Sequence, residues 1–329
     1  MNQDKRPSPF ISLVLPVFNE ADSLPDLYKA ITGVMRKQND SYELIFIDDG
    51  SRDQSFQILS SLQYGDDSIR IIQFRKNFGK SAAYHAGFSA AQGDIIITLD
   101  SDLQDDPEEI PLFIDKIQQG FDMVVGWRYT RKDSWRKKLP SRFFNWVVAK
   151  MTGIPLHDFN CPFKAYRKEV LQEIEIYGEQ HRYIPVLAQA QGFALAEIKI
   201  ENRPRLYGCS KYGAERLLRG MLDLLTVLFI TRFAKRPLHL LGAGGVIVCA
   251  IGGLILFTLT GAHFLYQLGI LSDASWNIHD RPMLSLGILL MIVGIQFFSM
   301  GLLGELLISQ QSKKSNDKGY SIKQIVDRK

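Results

Sequence analysis

Asp94-Ile95-Ile96-Ile97-Thr98-Leu99-Asp100-Ser101-Asp102 is the stretch whose reading decides the fold. Ile95 to Leu99 is a β-prone run without polar alternation, the pattern of a strand buried on both faces of a parallel sheet. It ends in two carboxylates one residue apart, and open α/β sheets bind ligands at the carboxyl ends of their strands. A second run, Leu44-Ile45-Phe46-Ile47, stops the same way at Asp48-Asp49-Gly50-Ser51. Carboxylate oxygens suit hard divalent cations, and such cations suit a nucleotide diphosphate. Acids at strand ends also form turns and helix caps, so either cluster alone is ambiguous. Two clusters, each behind a buried-type strand, carry the reading.

Outward from these runs, strand and helix patterns alternate. Ile11 to Val17 reads as a strand, with a helix beginning near Leu24 or Pro25, where proline suits a first turn. A helix over Asp53 to Leu62, a strand over Ile69 to Phe74 and an Ala-rich helix over Lys80 to Ala91 follow. Beyond Leu99 come a helix over Pro107 to Gln119 and a strand over Met123 to Gly126. Helices over Phe143 to Met151 and Tyr183 to Gln191, and a strand over Ala194 to Ile200, complete the pattern. Strands alternating with helices of about 10–15 residues predict βαβ units, hence an α/β chain with a Rossmann-like, mostly parallel sheet flanked by helices.

At 329 residues the chain is longer than one average domain. A mean hydropathy of −0.04 conceals a split, with charges in the first two thirds and long apolar stretches in the last. The net charge of +4 favours anionic partners only weakly, and no nucleic-acid-binding motif is present, so we expect no nucleic-acid partner. Cys161, Cys209 and Cys249 are odd in number and widely spaced, which supports neither a disulfide framework nor a zinc site. A reducing cytoplasm fits the soluble part. The polar N-terminal stretch shows no signal-peptide apolar core.

Leu238 to about Leu268 holds no Asp, Glu, Lys or Arg, and Met283 to Ile308 holds only Glu305. Both are long enough to cross a bilayer with tilt, predicting a C-terminal transmembrane helical hairpin. Gly242, Gly244, Gly245, Gly252 and Gly253 suit close helix packing. Arg232, Lys235 and Arg236 precede the first span, and Lys313, Lys314 and Lys318 follow the second. The positive-inside rule then puts both termini and the first two thirds in the cytoplasm, a multi-pass arrangement. The expected organisation is a cytoplasmic domain over 1–212, an amphipathic juxtamembrane helix over 213–236, two spans over 237–309 and a basic tail over 310–329.

At this point a family is visible. Leu15-Pro16-Val17-Phe18-Asn19-Glu20, Asp48-Asp49-Gly50-Ser51, Arg75-Lys76-Asn77-Phe78-Gly79-Lys80 and Asp100-Ser101-Asp102-Leu103-Gln104-Asp105-Asp106-Pro107-Glu108 resemble the family-2 glycosyltransferases. Gly126-Trp127-Arg128, Phe163-Lys164-Ala165-Tyr166-Arg167, His181-Arg182-Tyr183 and Ser210-Lys211-Tyr212 extend the likeness along nearly the whole chain. Within that family, the two spans are similar to the bactoprenol glucosyltransferase type of polyprenyl-phosphate transferase. The resemblance implies a GT-A fold and an inverting transfer of glucose from UDP-glucose to undecaprenyl phosphate. It also implies Mg2+ or Mn2+ at Asp100 and Asp102, a nucleotide-sugar pocket of Pro16, Phe18, Glu20, Asp48, Asp49 and Lys80, and Gln104 near sugar or metal. Close relatives point to a homo-tetramer.

Family analogy also suggests Asp158 as a catalytic base or acceptor-orienting acid. A phosphate monoester has a second pKa of about 6, so the acceptor is largely deprotonated near neutrality and scarcely needs a base. We therefore expect Asp158 to position groups or to steady positive charge developing on the sugar; a turn-capping role is the bland alternative. A phosphate acceptor beside a nucleotide diphosphate must be held by cations. The candidates are Arg128, Arg131, Arg136 and Arg142, with Arg203, Arg205 and Lys211 beyond the last strand and Ser210 beside them. Trp135, Phe143 and Trp146 would then meet lipid or its interface. The rival readings are another donor (GDP-mannose, a UDP-amino sugar or a UDP-N-acetylhexosamine) and a non-catalytic scaffold or flippase.

Overall fold

A computed structural model of the chain describes residues 10–38, 40–130, 145–174, 180–201, 203, 226–227, 238–270 and 282–314. The chain divides into two units, Met1–Leu228 and Phe229–Lys329, each taken here by itself.

In the first unit β1 (Ile11–Val17), α1 (Leu24–Gln38), β2 (Tyr42–Asp48), α2 (Ser55–Gly65), β3 (Ile69–Gln73), α3 (Lys80–Ala90) and β4 (Ile95–Thr98) succeed one another. A 3-10 turn (Pro107–Glu109) leads into α4 (Ile110–Gln118), then β5 (Met123–Thr130) and a helix α5 at residues 145–152. β6 (Lys164–Arg167), α6 (Lys168–Glu173), α7 (Ile184–Ala190) and β7 (Leu195–Glu201) complete it.

Seven strands form one sheet in the order β3-β2-β1-β4-β6-β5-β7. β1 runs parallel to β2 and β4, β2 to β3, and β5 to β7, while β6 is antiparallel to both its neighbours. The expected mostly parallel sheet with flanking helices is present, and its strands β1, β2 and β4 are buried on both faces. Leu13, Leu15, Phe46 and Ile97 pack with α1 and α4 on one side; Val14, Ile45, Ile47 and Ile96 pack with Ala83 and Tyr84 of α3 on the other. Each such side chain contributes about 1.5–3 kcal/mol by leaving water, which is why β1, β2 and β4 read as continuous apolar runs.

Three features differ from the sequence expectation. β6 is a strand that no apolar run announced, because Lys164 and Arg167 stand at its ends. β5 runs on to Thr130 instead of stopping at Gly126, since pairing with β7 continues through Trp127 and Arg128. The Pro107 helix opens with a 3-10 turn capped by Asp106, whose Oδ1 accepts from the Glu108 amide at 3.1 Å.

In the second unit a π-helical turn (Leu238–Gly242) leads into α8 (Ala243–Gln267), and α9 (Pro282–Lys314) follows. Both helices are long and apolar enough to cross a membrane, and only 17% of the most apolar stretch of each is buried. A soluble core helix would bury far more, so the exposed Val246, Leu254, Phe257, Leu289 and Leu303 need an apolar environment. The two helices pack antiparallel through small residues. A Cβ on Gly245 would lie 2.5 Å from the Gly294 carbonyl oxygen, and one on Gly252 would lie 2.8 Å from that of Gly287. Of the expected packing glycines, Gly244 meets nothing. The stretch 213–236, apart from 226–227, and the tail beyond residue 314 lie outside the described residues.

Candidate active site

The carboxyl ends of β1, β2 and β4 converge, and backbone-to-side-chain bonds fix the loops that leave them. After β1, Asn19 takes a left-handed conformation (φ +52°). Its amide donates to Ser51 Oγ at 3.0 Å, and its Oδ1 accepts from the Arg52 amide at 2.7 Å. The Glu20 amide donates to Ser55 Oγ at 3.0 Å. Phe18 and Glu20 are thereby held at the sheet edge beside the loop after β2, and Pro16 stands opposite Ile47 in the β1–β2 register.

Asp48 and Asp49 are both buried. Asp48 Oδ1 accepts from the Ser51 amide at 2.9 Å and Oδ2 from Gln73 Nε2 at 3.2 Å. Asp49 accepts from the Phe78 amide at 2.7 Å and the Gly79 amide at 3.0 Å. Burial pushes the Asp49 carboxyl above its ordinary range, and the two amides oppose that rise. Expected to line the nucleotide pocket, Asp49 ties down the loop ahead of α3. Gly50 (φ +71°) lets that loop approach closely, since a Cβ there would meet the Lys76 carbonyl carbon at 2.5 Å. Gly79, also left-handed, then opens α3, whose first residue is Lys80.

The loop after β4 is pinned from two sides at its central serine. Ser101 Oγ donates to the Pro16 carbonyl at 2.7 Å, and the Ser101 carbonyl accepts from Ser23 Oγ at 2.7 Å. Asp100 pairs with Lys80. Asp102 is buried and its Oδ1 accepts from the Gln104 amide at 3.1 Å, across the left-handed Leu103 (φ +57°). Asp105 is buried at 2% exposure, and neither of its carboxylate oxygens has a hydrogen-bond partner among the described residues. Burial pushes its pKa up to about 7; Arg128 opposes the rise, while Asp100 and Asp102 add repulsion.

These residues fit a hard divalent cation. Such ions, Mg2+ above all, take one or two carboxylates and complete their shell with substrate phosphates and water, and Asp100 and Asp102 offer hard oxygens on one pinned loop. No cluster of three metal-ligating side chains occurs among the described residues, so a protein-only cage is absent there. The buried Asp105 carboxyl nearby feels both Asp100 and Asp102, so acidic groups crowd this loop.

Arg128 and Asp158 face each other. Arg128 Nε donates to Asp158 Oδ2 at 2.8 Å and Nη2 donates to Oδ1 at 3.1 Å, a two-point contact with Asp158 at 2% exposure. The carboxylate lifts the guanidinium further above its ordinary range, against the opposing effect of burial. Asp158 also accepts from the Asn160 amide at 3.2 Å, so its turn-capping role is real as well. The Arg203 amide donates to the Gln104 carbonyl at 2.8 Å and its guanidinium pairs with Asp106, which places it against the loop after β4. Arg131, Arg136, Arg142, Arg205, Ser210 and Lys211 lie outside the described residues, as do Trp135 and Phe143. Two residues here escaped sequence reasoning. Asp105 sits in an acid-rich run beside Asp106, and only the fold separates the fully buried one from the half-buried one. Lys164 is one letter in a motif and is 4% exposed in the structure.

The profile of glycosyl transferase family 2 matches residues 12–175. The dodecaprenyl-phosphate galacturonate synthase of Rhizobium johnstonii is 35% identical over 96% of this chain and 93% of its own length. The undecaprenyl-phosphate 4-deoxy-4-formamido-L-arabinose transferase of Pseudomonas aeruginosa is 36% identical over 97% of this chain and 91% of its own. Among solved structures, glucosyl-3-phosphoglycerate synthase from Mycobacterium tuberculosis with Mn2+, UDP and phosphoglyceric acid superposes with a TM-score of 0.54. It covers 68% of this chain and 78% of that one at 18% identity, a likeness of fold. With relatives matched over nearly their whole length, and with the sheet and loops described above, the chain belongs to glycosyl transferase family 2 and carries its GT-A fold.

Proposed function

We propose that the protein transfers a sugar from a UDP-activated donor to the phosphate of a polyprenyl lipid at the cytoplasmic face of a bacterial inner membrane. The observation that carries this reading is the pinned Asp100-Ser101-Asp102 loop, in a chain whose relatives are polyprenyl-phosphate sugar transferases. The two apolar helices support a membrane location, where anchoring confines a long lipid acceptor near the site.

The chemistry is a single inverting displacement. An acceptor phosphate oxygen bonds to the anomeric carbon as the bond from that carbon to the UDP oxygen breaks, and UDP leaves with the electron pair. Asp100 and Asp102 would hold a divalent cation, which would supply charge screening for the departing diphosphate. Lys80 pairs with Asp100, and a cation taking that carboxylate would release the ammonium for a donor phosphate. The acceptor oxygen is already ionised near neutrality, so no group need remove a proton. Asp158 is suited to holding Arg128: the two-point contact fixes the guanidinium plane and cancels a charge that would repel the acceptor dianion.

Glucose from UDP-glucose is the donor expected from the sequence. The relatives named for galacturonate and for formamido-arabinose extend the donor set to be screened to acidic and amino sugars. The test is UDP release by purified protein with Mg2+ or Mn2+, with and without undecaprenyl phosphate. The lipid is expected to stimulate release, and Asp102→Ala to abolish the stimulation. No lipid-stimulated release from either protein makes the protein a scaffold, and equal stimulation of both removes Asp102 from the chemistry.

A further inference from the structure

A small cavity of about 20 Å³ is lined by Lys80, Tyr84, Thr98, Lys164, His181 and Arg182 among others. Lys80 joins it to the loop after β4 through Asp100. Its floor holds a buried cation. Lys164 is 4% exposed, its ammonium donates to the Cys161 carbonyl, and no carboxylate among the described residues lies within ion-pair distance. An ammonium has three donors, so two remain to be used. Tyr84 is equally buried, and its hydroxyl has no hydrogen-bond partner among the described residues. Burying an ammonium without an anion is costly, and an apolar side chain of similar volume would serve packing better. Burial pulls Lys164 down to about 8, against the opposing effect of Cys161 and Asp158, so most of the charge survives at neutral pH.

We infer that Lys164 and the Tyr84 hydroxyl form an oxyanion subsite in this cavity, filled by an anionic oxygen of a substrate. The oxyanion has three possible sources: the donor diphosphate, the carboxylate of a uronic acid donor, or the acceptor phosphate. The ammonium is already desolvated, so an arriving oxyanion meets a donor whose reorganisation is complete, as in electrostatic preorganisation generally. The sources rest on the function proposed above, but the binding arms of the test do not.

The test uses the full-length protein in detergent with Mn2+, titrated calorimetrically with UDP, UDP-glucose and UDP-galacturonate, plus the KM for undecaprenyl phosphate. Lys164→Met is expected to weaken at least one ligand about tenfold or more, the loss of a charge-assisted hydrogen bond. Lys164→Arg is expected to keep most of that affinity. Weakening of all three nucleotides alike assigns the diphosphate; weakening of UDP-galacturonate alone assigns the carboxylate; a raised KM alone assigns the acceptor. Tyr84→Phe loses no hydrogen bond among the described residues, should fold, and is expected to weaken the same ligand about threefold. The inference is overturned if Tyr84→Phe binds every ligand as wild type does and Lys164→Met, folded, stays within twofold on all of them. It is equally overturned if Lys164→Met does not fold and Tyr84→Phe is unchanged. Absence of transfer with every donor defeats the proposed function, yet leaves the UDP titrations readable.

Discussion

Arg128→Ala removes the guanidinium that makes two hydrogen bonds to Asp158, a carboxylate at 2% exposure. The surviving Asn160 amide, at 3.2 Å, satisfies part of one oxygen. Breaking a buried pair from one side costs about 3–5 kcal/mol, because the partner stays buried and charged. For a folding unit of about 150–250 residues, each kcal/mol lowers Tm by about 2–4 °C, so the expected fall is about 6–20 °C. The double variant with Asp158→Ala removes the stranded charge and should recover part of the loss, giving a coupling energy of at least about 1 kcal/mol. Thermal unfolding of the detergent-purified protein and its three variants reads the cycle directly. A melting temperature for Arg128→Ala within about 2 °C of wild type, or strictly additive single effects, refutes the reasoning.

Three further outcomes are expected. Chelation of divalent ions by EDTA should lower the rate of UDP release at least about 10²-fold, and Mg2+ or Mn2+ should restore it; an unchanged rate removes the cation from the site. Asp105 has its folded pKa raised by burial to about 7, so the folded state holds a proton that the unfolded state gives up near pH 4. Its contribution to stability therefore falls as pH rises from about 4 to about 7, and Asp105→Asn should raise Tm at pH 8 while the gain shrinks toward pH 5, as melting curves across that range will show. Gly245→Leu places a side chain where even a Cβ meets the Gly294 carbonyl oxygen at 2.5 Å, and should destabilise the α8–α9 pair by about 1–3 kcal/mol, read as a lower Tm of the full chain.

What the sequence made legible follows burial. β1, β2 and β4 are apolar on both faces, so each appears as an unbroken run, and the acids that end β2 and β4 mark the carboxyl edge of the sheet. β6 was hidden because it is held by hydrogen bonds to strands on both sides while carrying Lys164 and Arg167. The reach of β5 to Arg128 was hidden for a similar reason, since pairing with β7 sustains it after apolar character fades. Within the site, Asp49 was visible as an acid, but its use depends on amides at Phe78 and Gly79 in a distant loop. Asp105 and Asp106 are the same letter twice: one is buried without a hydrogen-bond partner among the described residues, while the other caps a turn and pairs with Arg203. No local pattern separates them, because the difference arises from which way the turn at Leu103 sends the chain.

The most direct test of the account is a mass spectrum of undecaprenyl phosphate after incubation with the purified protein, Mg2+ and a panel of UDP-sugars. The expected result is one new species heavier by a single sugar residue, formed by wild type and missing with Asp102→Ala. Unaltered lipid with every donor, or a sugar-bearing species that Asp102→Ala produces equally well, contradicts the account.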